Sequence, residues 1–203
     1  MRQRNDGATT SENPPPPPPP STFVSVSAHA WIHFLRAKNV KPDDNSHEDS
    51  TSLCFLVDCR RHLDPPPGEE YLGNCVVGCE ARTKVSEILS KGGFARACSA
   101  IQRAIEERVR DPLRGCENWA EEMMKARAME RMANIVASPR FKVYEVSDFG
   151  WGRPCKVELL PMNHEGEIVL FGAREEGGVQ VSVALDPACM DAFASKFTQG
   201  FGP

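Results

Sequence analysis

The chain has 203 residues, enough for one large domain or one domain with a tail, and 40% hydrophobic with 26% charged residues is ordinary globular usage that excludes wholesale disorder. Its 24 Lys and Arg against 28 Asp and Glu give a formal net charge of −4, and no basic block stands out, so the clustered cations that bind nucleic-acid phosphates are lacking. No apolar run approaches the roughly 18 residues that span a bilayer, and the polar start Met1-Arg2-Gln3-Arg4-Asn5-Asp6 is unlike a signal peptide; the expectation is a soluble, cytoplasmic protein with neither nucleic acid nor membrane as partner.

Residues 1 to 20 are polar and close on the proline run Pro14 to Pro20, which favours an extended polyproline helix. They read as a disordered proline-rich tail, either a spacer or a ligand for a proline-binding module. From Ser21 the character changes. Ser21 or Thr22 caps a predicted helix through Phe23, Val26, Ala30, Trp31, Phe34 and Leu35, whose apolar positions recur at helical spacing. A polar loop from Lys41 to Ser52 leads into Leu53-Cys54-Phe55-Leu56-Val57, a short buried strand that ends at Asp58 and the Pro65-Pro66-Pro67-Gly68 turn.

A second strand is expected from near Tyr71 through Val76 and Val77. Phe94 to Val109 fits a helix with Ala97, Ile101, Ala104, Ile105 and Arg108 in register, and Glu117 to Val136 fits another through Trp119, Met123, Ala126 and Met132. The methionines Met123, Met124, Met129 and Met132 suit core packing or an adaptable partner groove. Strand-like stretches follow at Phe141 to Val146, Lys156 to Pro161, Ile168 to Ala173 and Val179 to Leu185, the last two joined by a hairpin turn at Glu175-Glu176-Gly177-Gly178. Asp186-Pro187 then opens a terminal helix with Met190, Phe193, Ala194 and Phe197. Interleaved strands and helices make the class α/β or α+β.

The eight cysteines form no CxxC pair, and the CxxxC at Cys75 and Cys79 stands alone, which favours packed thiols over disulfides or a zinc site; no metal site is expected. His29 and His33 share one helical face at the spacing of a two-histidine metal site, but Ala30 stands where a zinc protease needs Glu, so a surface or packed pair is the alternative reading. No GxSxG elbow, dinucleotide loop or P-loop occurs. Composition and spacing therefore reach only an α/β domain of open activity.

Two segments carry a resemblance. Asp148-Phe149-Gly150-Trp151-Gly152 resembles the DFGWG motif of the plant BAHD acyl-CoA-dependent acyltransferases, and Tyr71-Leu72-Gly73-Asn74-Cys75 resembles the YFGNC motif of the branch that includes anthocyanin and phenolic glucoside malonyltransferases. Further landmarks keep the family's order: Val57-Asp58-Cys59-Arg60, Leu63-Asp64-Pro65-Pro66, Ser138-Pro139-Arg140-Phe141, Lys156-Val157-Glu158 and Ala192-Phe193-Ala194-Ser195. Leu72 departs from the usual Phe.

The resemblance implies an α/β, chloramphenicol-acetyltransferase-like domain, a mixed sheet flanked by helices, over residues 21–203 as the carboxyl-terminal domain of a two-domain enzyme. It implies transfer of malonyl or hydroxycinnamoyl from acyl-CoA, a cosubstrate with no separate cofactor, to a hydroxyl of a glycosylated phenolic acceptor. The family's base is the histidine of an HxxxD motif in the other domain. Here the residues four after each histidine are His33, Ala37, Thr51, Pro66 and Ile168, so no HxxxD occurs, the chain holds no catalytic residue of its own, and the first domain is expected to be missing.

On the same resemblance, Asp148, Phe149, Gly150, Trp151, Gly152, Tyr71, Gly73 and Asn74 are structural or line the acyl-CoA channel. Arg60 matches an arginine that pairs with the HxxxD aspartate across the domain interface. Without that partner, Arg60 is expected to be exposed or re-paired with Asp58 or another local acid. The bared interdomain face is expected to drive self-association.

Overall fold

The computed structural model describes residues 18–42, 49–118, 121, 131–159 and 165–199. The tail as far as Pro17, the histidines His47 and His164, and Trp119, Met123, Met124, Ala126 and Met129 of the expected third helix lie outside these residues. In chain order come α1 (Thr22–Ala37), β1 (Ser50–Asp58), a 3-10 turn (Arg60–His62), β2 (Val76–Lys84), α2 (Val85–Ile88), α3 (Gly93–Arg110) and a 3-10 turn (Cys116–Asn118). They are followed by β3 (Met132–Ser138), α4 (Val143–Val146), β4 (Glu167–Gly172), β5 (Val179–Val183) and α5 (Pro187–Thr198).

The strands form one sheet in the order β2-β1-β3-β4-β5. The β1–β3 and β3–β4 pairs are parallel, and β2 and β5 pair antiparallel at the two edges. Alternation along each strand sends Leu53, Phe55, Cys79, Ala81, Ala133, Ile135, Ile168 and Leu170 to one face. There they meet Val24, Ala28, Trp31, Phe34 and Leu35 of α1, Ala97, Cys98 and Ile101 of α3, and Phe193 of α5. Trp31 is fully buried and keeps its polar end satisfied: Nε1 donates to Thr51 Oγ1 at 2.9 Å, and that hydroxyl donates to the Arg131 carbonyl at 2.6 Å. The other face carries a smaller cluster of Tyr144, Val169 and Phe171 beside β4.

The helix ends follow their sequence signals. Ser21 caps α1, its hydroxyl accepting from the Val24 N–H, and Asp186 caps α5 by accepting from the Ala188 N–H at 2.8 Å, with Pro187 in the first turn. The expected Glu175–Gly178 turn joins β4 to β5, Gly177 standing at φ 75° and the Gly178 N–H donating to the Glu175 carbonyl.

Three expectations are corrected. Met132 to Val136 is not the end of a helix but belongs to β3, because Ile135 and Val136 are β-branched and the segment finds ladder partners on both sides. Phe141 to Val146 is not a strand; it holds the single turn α4, with Phe141 exposed and Tyr144 buried. Lys156 to Leu159 forms no strand either, and Leu160 and Pro161 are not described.

Five cysteines, Cys54, Cys59, Cys75, Cys79 and Cys98, are buried free thiols, and burial pushes Cys79 up to about 12 and raises Cys59 and Cys98. These are packed groups rather than nucleophiles. Among the described residues no cluster of three or more metal-ligating side chains occurs, and no helix is long and apolar enough to cross a membrane.

Candidate functional site

Because β1, β3 and β4 run parallel, their carboxyl ends lie at one end of the sheet. The β1–β2 connection, which carries Arg60 and Tyr71–Cys75, and the segment after β3, which carries Asp148–Gly152, both leave from that end. Topology therefore starts two connections that are distant in sequence from one end of the sheet, the end at which open α/β sheets bind ligands.

In the Asp148–Gly152 loop the carboxylate is a turn-forming acceptor. Asp148 Oδ1 accepts the Gly150 N–H at 2.8 Å and the Gly152 N–H at 3.1 Å. Both glycines stand at positive φ, 94° and 91°, which a side chain would strain. The turn carries Phe149 and Trp151 outward, 84% and 94% exposed. Asp148 thus follows a helical turn, not a strand.

A network that sequence reasoning missed braces this loop. The Tyr144 hydroxyl donates to Gln180 Oε1 at 2.9 Å and accepts the Val157 N–H at 3.0 Å, while Gln180 Nε2 donates to the Val157 carbonyl at 2.9 Å. One phenol and one amide so tie α4, the far side of the motif loop and β5 together. The one available signal was composition: the chain has two tyrosines, and each sits in one of the two motif-bearing connections.

In the first connection the Arg60 guanidinium donates to the Tyr71 carbonyl at 2.8 Å and lies over the Tyr71 ring, 5.9 Å from its centroid. Asp58 is engaged instead by the Arg60 main-chain N–H at 2.9 Å. The half-buried arginine has therefore re-paired with a carbonyl and a ring, not with a carboxylate as expected. Tyr71 folds back over Gly73 so closely that a Cβ at that position would collide with its ring, which explains the glycine. Leu72 is 99% exposed and Asn74 is exposed, so neither is a packing residue of this domain. His62 is exposed in the adjacent 3-10 turn.

A groove of about 420 Å³ opens at the same end. It runs between the first turn of α1 (Ser21, Thr22, Phe23), the segment Ser138–Arg140, Lys142 and Tyr144, and the β4–β5 turn. Its lining is of mixed charge: Arg140 and Lys142 stand with Glu145, Glu175 and Glu176, and Lys142 is paired with Glu145 at 3.0 Å.

A Transferase family model matches residues 2–199. The chain belongs to the BAHD acyl-CoA-dependent acyltransferases. It is 32% identical over 183 residues to a malonyl-coenzyme:anthocyanin 5-O-glucoside malonyltransferase of Salvia splendens, covering 87% of this chain and 38% of that protein. It is 34% identical over 188 residues to phenolic glucoside malonyltransferase 2 of Arabidopsis thaliana, covering 89% and 39%. The chain therefore spans about two fifths of the length of these relatives.

Among solved structures the BAHD fold is matched by vinorine synthase, with a TM-score of 0.65 at 17% identity over 90% of this chain and 41% of that one. TRI101 of F. graminearum, solved with coenzyme A and T-2 mycotoxin, matches with a TM-score of 0.67 at 18% identity over 89% and 42%. The mixed five-stranded sheet with its helices is thus the expected α/β, chloramphenicol-acetyltransferase-like fold.

Proposed function

We propose that this chain is the carboxyl-terminal domain, residues 21–203 behind a proline-rich tail, of an acyltransferase that moves malonyl or a hydroxycinnamoyl group from acyl-CoA to a hydroxyl of a phenolic or flavonoid glucoside. The observation that carries the reading is the exposed, internally braced Asp148–Gly152 loop, which leaves from the same end of the sheet as the Arg60–Tyr71 segment. Phe149 and Trp151 have no packing role within this domain, so a second wall or a substrate is what such rings are placed to meet.

In this reading Trp151 and Phe149 line the acyl or acceptor channel, and Asp148 holds their loop without touching the reacting atoms. The acceptor hydroxyl attacks the thioester carbonyl and gives its proton to the HxxxD histidine, which a part of the protein outside these residues supplies; the C–S bond then breaks, and CoA leaves as the thiol by taking that proton back. His29 and His33 stand on α1 with ring nitrogens bonded to the Phe197 and His29 carbonyls, and His62 has no carboxylate four residues on. The domain alone contributes binding surface and no base.

The test is an assay of the purified chain with malonyl-CoA or coumaroyl-CoA and a flavonoid glucoside. No product above buffer is expected, and co-expression with an HxxxD-bearing domain of a relative restores turnover. Turnover by the chain alone that His62→Ala abolishes overturns the proposal. The alternative reading, a non-catalytic module that binds CoA or another protein, rests on the same exposed rings. Acyl-CoA that quenches tryptophan fluorescence in the chain but not in Trp151→Phe, with no restored turnover on co-expression, selects it.

A further inference from the structure

A second and larger cavity, about 860 Å³, lies among α1, the start of α3 and the end of α5. It shares no lining residue with the groove at the carboxyl ends of the strands. Its volume is that of a small-molecule site. Its lining has two characters. Val26, Ile32 and Phe94 supply an apolar wall, while Arg36, Lys91 and Lys196 arrive from three separate parts of the chain together with His29 and His33. Among the described residues no Asp or Glu lines it. In a chain of net charge −4, a cavity whose described lining holds three permanent cations and no carboxylate is a local inversion of the protein's own field.

His33 makes this more than a surface charge pattern. It is 7% exposed yet lines the cavity. Its Nδ1–H donates to the His29 carbonyl at 2.8 Å, which fixes the tautomer, and Nε2 makes no hydrogen bond to any described residue. His29 is fixed from the other side, its Nε2 donating to the Phe197 carbonyl at 2.9 Å. The amino terminus of the 18-residue α3 closes the cavity: Gly92 offers no capping side chain, and the first turn holds no acid. Among the described residues neither a capping side chain nor a first-turn carboxylate offsets the positive end of the helix dipole.

We propose that this cavity is a binding site for a small organic anion, an apolar body carrying one phosphate or carboxylate group, with Arg36, Lys91, Lys196 and the Nε2–H of protonated His33 as its donors. The apolar wall takes the body and the cations take the charged group. Among the described residues, every charged or titratable group facing His33 is positive or neutral: His29 and Arg36 from α1, Lys196 from α5, and Lys91 across the cavity. Burial first, and after it the His29, Arg36 and Lys196 charges, hold His33 below the ordinary histidine value, against the bond to the His29 carbonyl. A bound anion reverses the balance, so binding takes up a proton and tightens as pH falls through the histidine range.

The experiment is calorimetric titration of the full chain with phenyl phosphate, benzoate, inorganic phosphate and phenol, alongside histidine ring NMR. One saturable site for phenyl phosphate or benzoate, weaker for inorganic phosphate and silent for phenol, is the expected result, and the two organic anions separate the phosphate source from the carboxylate source. Lys91→Gln and Arg36→Gln, both on exposed side chains, each weaken binding about fivefold. His33→Gln removes the pH dependence, and in the parent chain the ligand moves the His33 titration upward. Circular dichroism checks the fold of each variant, and the exposed-site pair carries the test where His33→Gln does not fold. No saturable binding of either organic anion, equal binding of phenol, or an affinity unchanged in Lys91→Gln and Arg36→Gln overturns the proposal.

Discussion

Two tryptophans of this chain lead opposite lives. Trp31 lies wholly inside, over the sheet and under α3 and α5, with its indole N–H bonded to Thr51, whereas Trp151 stands almost fully in solvent on a turn pinned by Asp148. Both sit in apolar-rich stretches, and hydrophobicity does not tell them apart. The difference lies in what fixes each one. Trp31 is held by helical period and by packing on every side, so its identity serves stability. Trp151 is held by backbone geometry alone, so its identity serves something outside the domain.

The contrast can be broken by substitution. Trp31→Ala is expected to cost about 3–5 kcal/mol through cavity formation and loss of the Thr51 bond, read as a lowered urea midpoint. Tyr144→Phe removes one hydroxyl that serves two partners and costs about 1–2 kcal/mol, with faster proteolysis near Val157. Ser27→Ala changes the sign: the Ser27 hydroxyl is buried without a hydrogen-bond partner among the described residues, and its removal stabilises by about 1 kcal/mol. Trp151→Ala stays within about 0.5 kcal/mol of the parent in the same urea titration, while abolishing the acyl-CoA fluorescence response. A Trp151→Ala variant as unstable as Trp31→Ala would show that the loop packs on its own domain and end the comparison.

Acidification gives a sharper version of the same contrast. His33, in the helix layer, has its folded pKa lowered by burial first and then by the His29, Arg36 and Lys196 charges, with the His29 carbonyl acting against them. The unfolded chain therefore binds this proton more readily, so its contribution to stability is intact above the ordinary value of 6.5 and is lost as pH falls through the folded value. A urea midpoint that declines with pH below this point, and does so less in His33→Gln, is expected.

What the sequence made legible follows the same division. Caps and turns are local chemistry, so Ser21, Asp186-Pro187 and Glu175–Gly178 were readable before any coordinates. The error at β3 arose because Met132 continues the helical spacing of the preceding segment, and only pairing with β1 and β4 on both sides makes it a strand. The site was legible as two motifs but not as one place. Their departure from one end of the sheet depends on parallel strand direction, and the Tyr144–Gln180–Val157 brace joins residues up to 36 positions apart. The anion cavity was hidden for the same reason: His29 and His33 were visible as a pair, but Lys91 and Lys196 reach them only through the packing of three helices.

The central place of β3 also sets how the two halves of the sheet depend on each other. β1 with β2, and β4 with β5, are antiparallel neighbours along the chain, whereas the Thr51 hydroxyl meets the Arg131 carbonyl across a separation of 80 residues. Closing that long loop carries the largest chain-entropy cost among these pairings. A two-stranded pair is at best marginally stable alone, so a substitution that weakens β3 withdraws support from both halves of the sheet at once.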